Sequence, residues 1–239
     1  MASRTPFTMP DYCPLYDELP YHYKGYRKLS AFCRTDPEAL ARALPDGFEP
    51  ASDLMEVFVM DVPDGGPLGA YQEGGIVVPC RYGDLTGAHV LYEHVSTDDS
   101  LCVGREIWGY PKKLAQVGWT EAADGAIEAD ITRRGHRLIA MSFRSGEAEF
   151  DKPQMQPRLQ VKRFPRVDGK GFDVDQVIIN ELGGAALHER RTGACEVTLG
   201  GSAEDPLHEL PVHEVIGAEF IVGDFLLGTG EVLEERAVR

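Results

Sequence analysis

The stretch Val103-Gly104-Arg105-Glu106-Ile107-Trp108-Gly109-Tyr110-Pro111-Lys112-Lys113-Leu114 sets two adjacent lysines behind a proline and two aromatics. Lysine side chains prefer water, whereas Ile107, Trp108, Tyr110 and Leu114 prefer burial. A lysine pair in an apolar stretch is a local conflict, and such conflicts collect at functional sites. The chemistry on offer is imine formation, in which a neutral amine attacks a carbonyl carbon. Free lysine has a pKa of about 10.4, so only about one in a few thousand is neutral at neutral pH. Desolvation and a neighbouring cation both disfavour the ammonium form. Lowering the pKa by about three to four units takes roughly 4–5 kcal/mol of differential interaction. An isolated Pro-Lys-Lys would read instead as a solvent-facing pair after a turn, so the rest of the chain has to decide.

The chain has 239 residues, 43% of them hydrophobic, enough for a substantial core. Its 26 glycines and 16 prolines are spread out, with no low-complexity segment and no fixed-period repeat, so one compact domain is expected. A net charge of −15 repels phosphate backbones and anionic lipid, which argues against nucleic-acid and peripheral membrane partners. No apolar run reaches the length of a membrane span. The start, Met1-Ala2-Ser3-Arg4-Thr5-Pro6-Phe7, lacks the apolar core of a signal peptide. The cysteines Cys13, Cys33, Cys80, Cys102 and Cys195 are odd in number and contain no CxxC pair. Neither a disulfide framework nor a zinc site is suggested, and free thiols in a reducing cytoplasm are the plain reading. His22, His89, His136, His188, His208 and His213 form no metal-spaced pair and read as structural or surface residues.

Residues 1–25, rich in Pro and Tyr, read as an extended arm whose aromatics favour docking over a mobile tail. Residues 26–34 fit a strand. Thr35-Asp36-Pro37-Glu38 starts a helix that stops near Pro45-Asp46-Gly47 and buries Leu40 and Leu44. Leu54-Met55-Glu56-Val57-Phe58-Val59-Met60-Asp61-Val62 is a strand, followed by a turn at residues 63–67. Glu73 stands beside Gly74 and Gly75, which permit close backbone approach; taken alone it reads as a surface turn residue. Residues 88–95 form another strand, for which Glu93 and His94 suggest half exposure. Residues 118–121 and 126–133 form a hairpin around Asp124-Gly125, and residues 137–143 one more strand. Residues 152–165, with three prolines, read as an extended crossing segment. Strands at 174–182, 187–199 (one or two), 220–227 and 230–235 close the chain. Many short strands and few helices argue for a mainly antiparallel β domain, and closure into a barrel would remove its exposed edges.

Gly104-Arg105-Glu106 followed by Tyr110-Pro111-Lys112-Lys113-Leu114 resembles the active-site signature of the acetoacetate decarboxylase family. The resemblance extends to Arg34-Thr35-Asp36, Gly69-Ala70-Tyr71-Gln72-Glu73-Gly74-Gly75, the segment from Arg158 to Gly169, His188-Glu189-Arg190-Arg191-Thr192-Gly193 and Leu210-Pro211-Val212-His213-Glu214-Val215. It covers about residues 20–236. It implies a mainly β (α+β) fold, a large antiparallel β-barrel with an internal pocket and a few short flanking helices, assembled into homo-oligomers. Residues 26–239 would be a single domain behind the arm. Acetoacetate decarboxylase is itself a known case of a lysine activated by a cationic neighbour.

Carried over by the resemblance, Lys112 is the Schiff-base nucleophile, Glu73 the pocket carboxylate, and Tyr110 part of the apolar wall. Lys113 is a cationic neighbour, more a support pointing elsewhere than a reactant. The family's first-strand arginine, which meets the substrate carboxylate, falls on Tyr26 by ungapped counting and on Arg27 by a slip of one, which would reverse its face. A second family carboxylate falls on Glu56 if the 63–67 turn is two residues longer here, and otherwise on Phe58. No metal, flavin, nicotinamide or pyridoxal cofactor is implied. The leading expectation is a carbon–carbon lyase that decarboxylates a 3-oxo acid such as acetoacetate. An aldolase-dehydratase condensing a pyruvate-like 2-oxo acid with an aldehyde is the close alternative. A barrel that binds a small oxo compound without turnover is the alternative of another class.

Overall fold

In this computed structural model, which describes residues 7–236, short runs of β-branched and aromatic residues become a 14-stranded sheet. Residues 1–6 of the expected arm lie outside the described residues. The strands are β1 (Tyr21–Arg34), β2 (Phe48–Pro50), β3 (Leu54–Val62), β4 (Tyr71–Tyr82), β5 (Leu85–Val95), β6 (Lys112–Leu114) and β7 (Gln116–Glu121). They continue as β8 (Ile127–Arg133), β9 (His136–Ser145), β10 (Arg158–Pro165), β11 (Phe172–Asn180), β12 (Leu182–Leu199), β13 (Glu214–Leu227) and β14 (Glu231–Glu235). Two short helices, α1 (Pro37–Ala43) and α2 (Asp98–Val103), are added, and α2 runs into a π turn at Gly104–Trp108. No helix among the described residues is long and apolar enough to cross a membrane.

The ladder runs β14-β11-β10-β5-β4-β3-β1-β13-β12-β9-β8-β7, with β2 against β4 and β6 against β5. All pairings are antiparallel except those of β5 with β10 and with β6. The architecture is therefore mainly β, as expected, but the ladder is an open path with β14 and β7 at its ends, not the closed barrel anticipated.

The central strands are buried on both faces, which is why β3 reads as a near-continuous apolar run. Met55, Val57 and Val59 pack on one side with Leu29, Ala31 and Ile76. Phe58, Met60 and Val62 pack on the other with Phe32, Tyr71 and Val77. The helix α1 buries Leu40 and Leu44 as its spacing predicts. Asp36 at its N-terminus makes no side-chain cap and instead accepts a hydrogen bond from His213 Nε2 at 2.6 Å.

Two segments differ from the sequence reading. The first strand begins at Tyr21, inside the expected arm, with Tyr16, Tyr21 and Tyr23 all buried. The expected crossing segment contains β10. Pro153 and Pro157 precede that strand and Pro165 ends it, so none interrupts its ladder.

Two bulges then decide which side chains share a face. The β1–β13 register shifts between Tyr23 and Tyr26, where Gly25 takes φ +61° and donates its N–H to Asp224 Oδ1 at 2.8 Å. Tyr23 and Tyr26 consequently line the same cavity despite their odd spacing. In β5, Tyr92 pairs with Ile76 and Val90 with Val77, leaving Leu91 as the extra residue. Val90 and Glu93 thereby reach the same side.

Candidate active site

The lysine pair is separated by strand geometry. In β6, Lys112 lies beside Glu93 of β5 and Lys113 beside His94. Successive strand residues point to opposite faces, so the two ammonium groups diverge. Lys112 is 5% exposed and faces a cavity of about 470 Å³. Its Nζ donates to Glu73 Oε2 at 2.8 Å and to Ser100 Oγ at 3.1 Å. It also lies 5.7 Å from the ring centre of Tyr71 and 6.0 Å from that of Tyr110, within cation–π range. Lys113 donates to Asp205 Oδ1 at 2.6 Å and to the Glu204 carbonyl at 2.8 Å, and Asp205 also accepts from Arg133 at 2.9 Å. His94 is fully buried on that side, with Nε2 3.5 Å from Asp205 Oδ1.

Backbone contacts hold this arrangement. A Cβ on Gly104 would lie 2.5 Å from Lys112 Cδ and 2.8 Å from its Cε, so the lysine stem packs directly on that glycine. A Cβ on Gly74 would lie 2.5 Å from the Phe58 carbonyl, and one on Gly75 1.9 Å from the Tyr92 carbonyl. The Gly74-Gly75 pair thus lets β4 sit close against β3 and β5, with Glu73 buried at 7% exposure instead of on a surface turn.

The electrostatics correct the expected state of Lys112. Burial alone would lower its pKa, but the Glu73 and Glu93 carboxylates outweigh burial and the net direction is upward. The cation expected to lower it, Lys113, lies on the opposite face and is engaged with Asp205. Lys112 is thus held against the Glu73 carboxyl group at 2.8 Å, and the lowering of its pKa expected from Lys113 is not what this placement gives.

The half-exposed strand expected for Glu93 and His94 is also corrected, because both are buried. Glu93 lines the cavity, its Oε2 has no hydrogen-bond partner, and burial pushes its carboxyl up to about 7 against the pull of Lys112. Glu93 titrates near 4.5 when exposed and near 7 when folded. Between those values the unfolded chain binds fewer protons, so this residue's contribution makes stability fall as pH rises. The penalty is absent below pH 4.5 and complete above about 7. The melting temperature of Glu93→Gln relative to wild type is therefore expected to rise across that window. Parallel melting curves for the two proteins would show that Glu93 ionises without penalty.

Around Lys112 the cavity gathers Tyr26, Glu56, Phe58, Glu73 and Tyr110 from the sequence expectations. Glu56 and Phe58 both face it because they are two residues apart on one strand. Glu56 accepts from Lys28 Nζ at 2.5 Å and Ser30 Oγ at 2.7 Å. Burial would raise its carboxyl, but Lys28 and Arg158 hold it down at about 2. Tyr110 packs on Trp108, and its hydroxyl accepts from Asn180 Nδ2 at 2.8 Å. Arg27 is the expectation the structure moves. It sits on the opposite face from Tyr26 and Lys28, paired with Asp61 at 2.6 Å with its side chain 40% exposed.

Lys28, Glu93, Ser100 and Arg158 belong to the cavity or touch Lys112, and the sequence reading did not name them for the site. Lys28 was findable, being two residues beyond Tyr26 on the same strand. Glu93 was hidden by the bulge at Leu91, and Arg158 by a strand that resembled a loop.

The family model described as Acetoacetate decarboxylase (ADC) matches residues 4–237. The chain belongs to the acetoacetate decarboxylase family. It is 29% identical over 235 residues to the acetoacetate decarboxylase of Acidiphilium cryptum, covering 97% of this chain and 96% of that one. It is 30% identical over 235 residues to acetoacetate decarboxylase 1 of Bradyrhizobium diazoefficiens, covering 96% and 93%. A solved acetoacetate decarboxylase structure superimposes with a TM-score of 0.87 at 25% identity, covering 96% of this chain and 95% of that one. Within the acetoacetate decarboxylase family, this chain places Tyr26 of β1 on the cavity wall and a carboxylate, Glu93, beside the lysine.

Proposed function

We propose that the chain is a Schiff-base lyase that decarboxylates acetoacetate or a close 3-oxo acid. The observation that carries this reading is Lys112, buried against Glu73 at 2.8 Å on a cavity wall. Glu73 accepts a proton from the Lys112 ammonium, and the freed amine attacks the substrate ketone. The proton is returned to the carbonyl oxygen, which leaves as water, so ammonium plus ketone becomes iminium plus water. The iminium then draws in the electron pair of the adjacent carbon–carbon bond, and carbon dioxide departs. The resulting enamine takes up a proton at carbon, and water releases acetone and Lys112. The 2.8 Å contact between Lys112 Nζ and Glu73 Oε2 makes this proton transfer part of the catalytic cycle. Lys113 supports the site by fixing β6 through Asp205.

Borohydride reduction in the presence of acetoacetate is expected to attach a stable adduct to the peptide containing Lys112, together with carbon dioxide release when borohydride is omitted. Lack of an adduct on Lys112 would sink the covalent mechanism.

A second reading, aldolase-dehydratase chemistry, draws on the cavity itself. Its 470 Å³ falls within the range of about 300–1,000 Å³ that holds drug-sized ligands, which leaves room beside acetoacetate for a second small molecule. Product analysis with pyruvate plus an aldehyde, against carbon dioxide release from acetoacetate, separates the two. A single domain behind an N-terminal arm, a homo-oligomeric assembly and a cytoplasmic location complete the proposal. Its support is the family's character and the five free cysteines, and sedimentation velocity tests the assembly.

A further inference from the structure

Arg158 opens β10 and lines the cavity that holds Lys112. At 9% exposure it is the one buried arginine among the described residues. Its Nη1 donates to the Met155 carbonyl at 2.7 Å, and no carboxylate of the described residues lies within the 4.0 Å of an ion pair. A guanidinium has five N–H donors and cannot shed its charge, so a buried one without an acid partner is costly. The other cations on the cavity wall besides Lys112 are already engaged. Lys28 is paired with Glu56 at 2.5 Å, and Lys152 with Glu219 at 2.5 Å.

We propose that Arg158 is the receptor for the substrate's carboxylate, its guanidinium donating two N–H groups to the two carboxylate oxygens. This rests on the reading of the substrate as an oxo acid, and it relocates carboxylate recognition from β1 to β10. On β1 the cavity receives Tyr26 and the neutralised Lys28, while Arg27 points to the other face. The geometry of a planar fork suits a carboxylate better than a lysine does. Two acids feel Arg158 at longer range, Glu56 and Glu93. Glu56 is held by Lys28 and Ser30 and does not compete. Glu93, pushed up to about 7, is substantially protonated near neutral pH and repels an incoming anion less than an ordinary glutamate would. A substrate anchored at Arg158 by its carboxylate and at Lys112 by its ketone spans two groups on one wall system. Acetone, which has no carboxylate, would use Lys112 alone.

The experiment compares wild type, Arg158→Leu and Arg158→Lys in borohydride trapping with acetoacetate and with acetone. Arg158→Leu is expected to raise the half-saturating acetoacetate concentration about 10- to 100-fold, the range for charged hydrogen bonds, with acetone trapping unchanged. The unchanged acetone arm also shows that the pocket is folded. Arg158→Lys keeps the charge without the fork and is expected to fall between the two. Equal losses for both ketones in both variants, or no loss for either, would overturn the proposal. If wild type traps neither ketone, the Schiff-base reading fails separately. Calorimetric titration with 3-hydroxybutyrate, which has the carboxylate and no ketone, then decides. Weaker binding by Arg158→Leu supports the receptor, and unchanged binding overturns it.

Discussion

Lys112→Met is expected to abolish borohydride labelling and to lower acetoacetate turnover by roughly 10⁴- to 10⁶-fold, the scale of losing a covalent nucleophile. The substitution keeps the aliphatic stem that packs on Gly104, so the loss is chemical more than steric. It also strands Glu73, which is 7% exposed and has Lys112 as its ion-pair partner. Removing one member of a buried pair costs about 3–5 kcal/mol, reduced to the extent that Glu73 takes up a proton. Lys112→Met with Glu73→Gln is therefore expected to recover much of the melting temperature and none of the activity. Steady-state assays and thermal melts on the three proteins check both halves. Turnover within about 100-fold of wild type in the single variant would remove Lys112 from the mechanism, and a double variant no more stable than the single would deny the pair its structural role.

Gly104→Ala carries the second-largest effect, and it works without touching a reactive group. The new methyl would sit 2.5 Å from Lys112 Cδ, well inside contact distance, so the lysine stem or the π turn must shift. A displacement of about 1 Å at a reacting atom costs on the order of 100-fold in rate. Overpacking a filled site costs about 1–3 kcal/mol. The expected result is a roughly 100-fold fall in kcat, an adduct that still maps to Lys112 but forms slowly, and a modestly lower melting temperature. Wild-type kinetics in this variant would show that the stem has slack the packing does not reveal.

Both outcomes trace to features of unequal legibility. The lysine pair among Trp108, Tyr110 and Ile107 was a visible anomaly in the local sequence, but only the resemblance along the whole chain separated it from a solvent-facing pair after a turn. The strand-rich class could be read as well, since β3 is an apolar run broken only by Glu56 and Asp61 and the turns are marked by Gly, Pro and Asp. The burial of Glu73 depended on Gly74 and Gly75 admitting β3 and β5 at close range, which a list of residues suggests but does not establish. The missed strand β10 had three prolines in and around it, and only their positions at its margins made a ladder possible.

By itself, the sequence determined that this is a mainly β protein of the acetoacetate decarboxylase family with Lys112 as its distinctive nucleophile candidate. The strand-rich class rests on periodicity and turn residues, which are local properties, whereas the family and the role of Lys112 rest on a resemblance carried by motifs spread over about residues 20–236. Tertiary structure decided which charges meet. Bulges at Lys24-Gly25 and Leu91 reset the alternation of β1 and β5, turning Tyr26, Lys28 and Glu93 inward and Arg27 outward. Pairing of β6 with β5 sent Lys112 and Lys113 to opposite faces. The direction of the Lys112 pKa followed from that placement, because burial lowers it while the Glu73 and Glu93 carboxylates, brought in by other strands, raise it by more, and the lysine next to it in sequence points away.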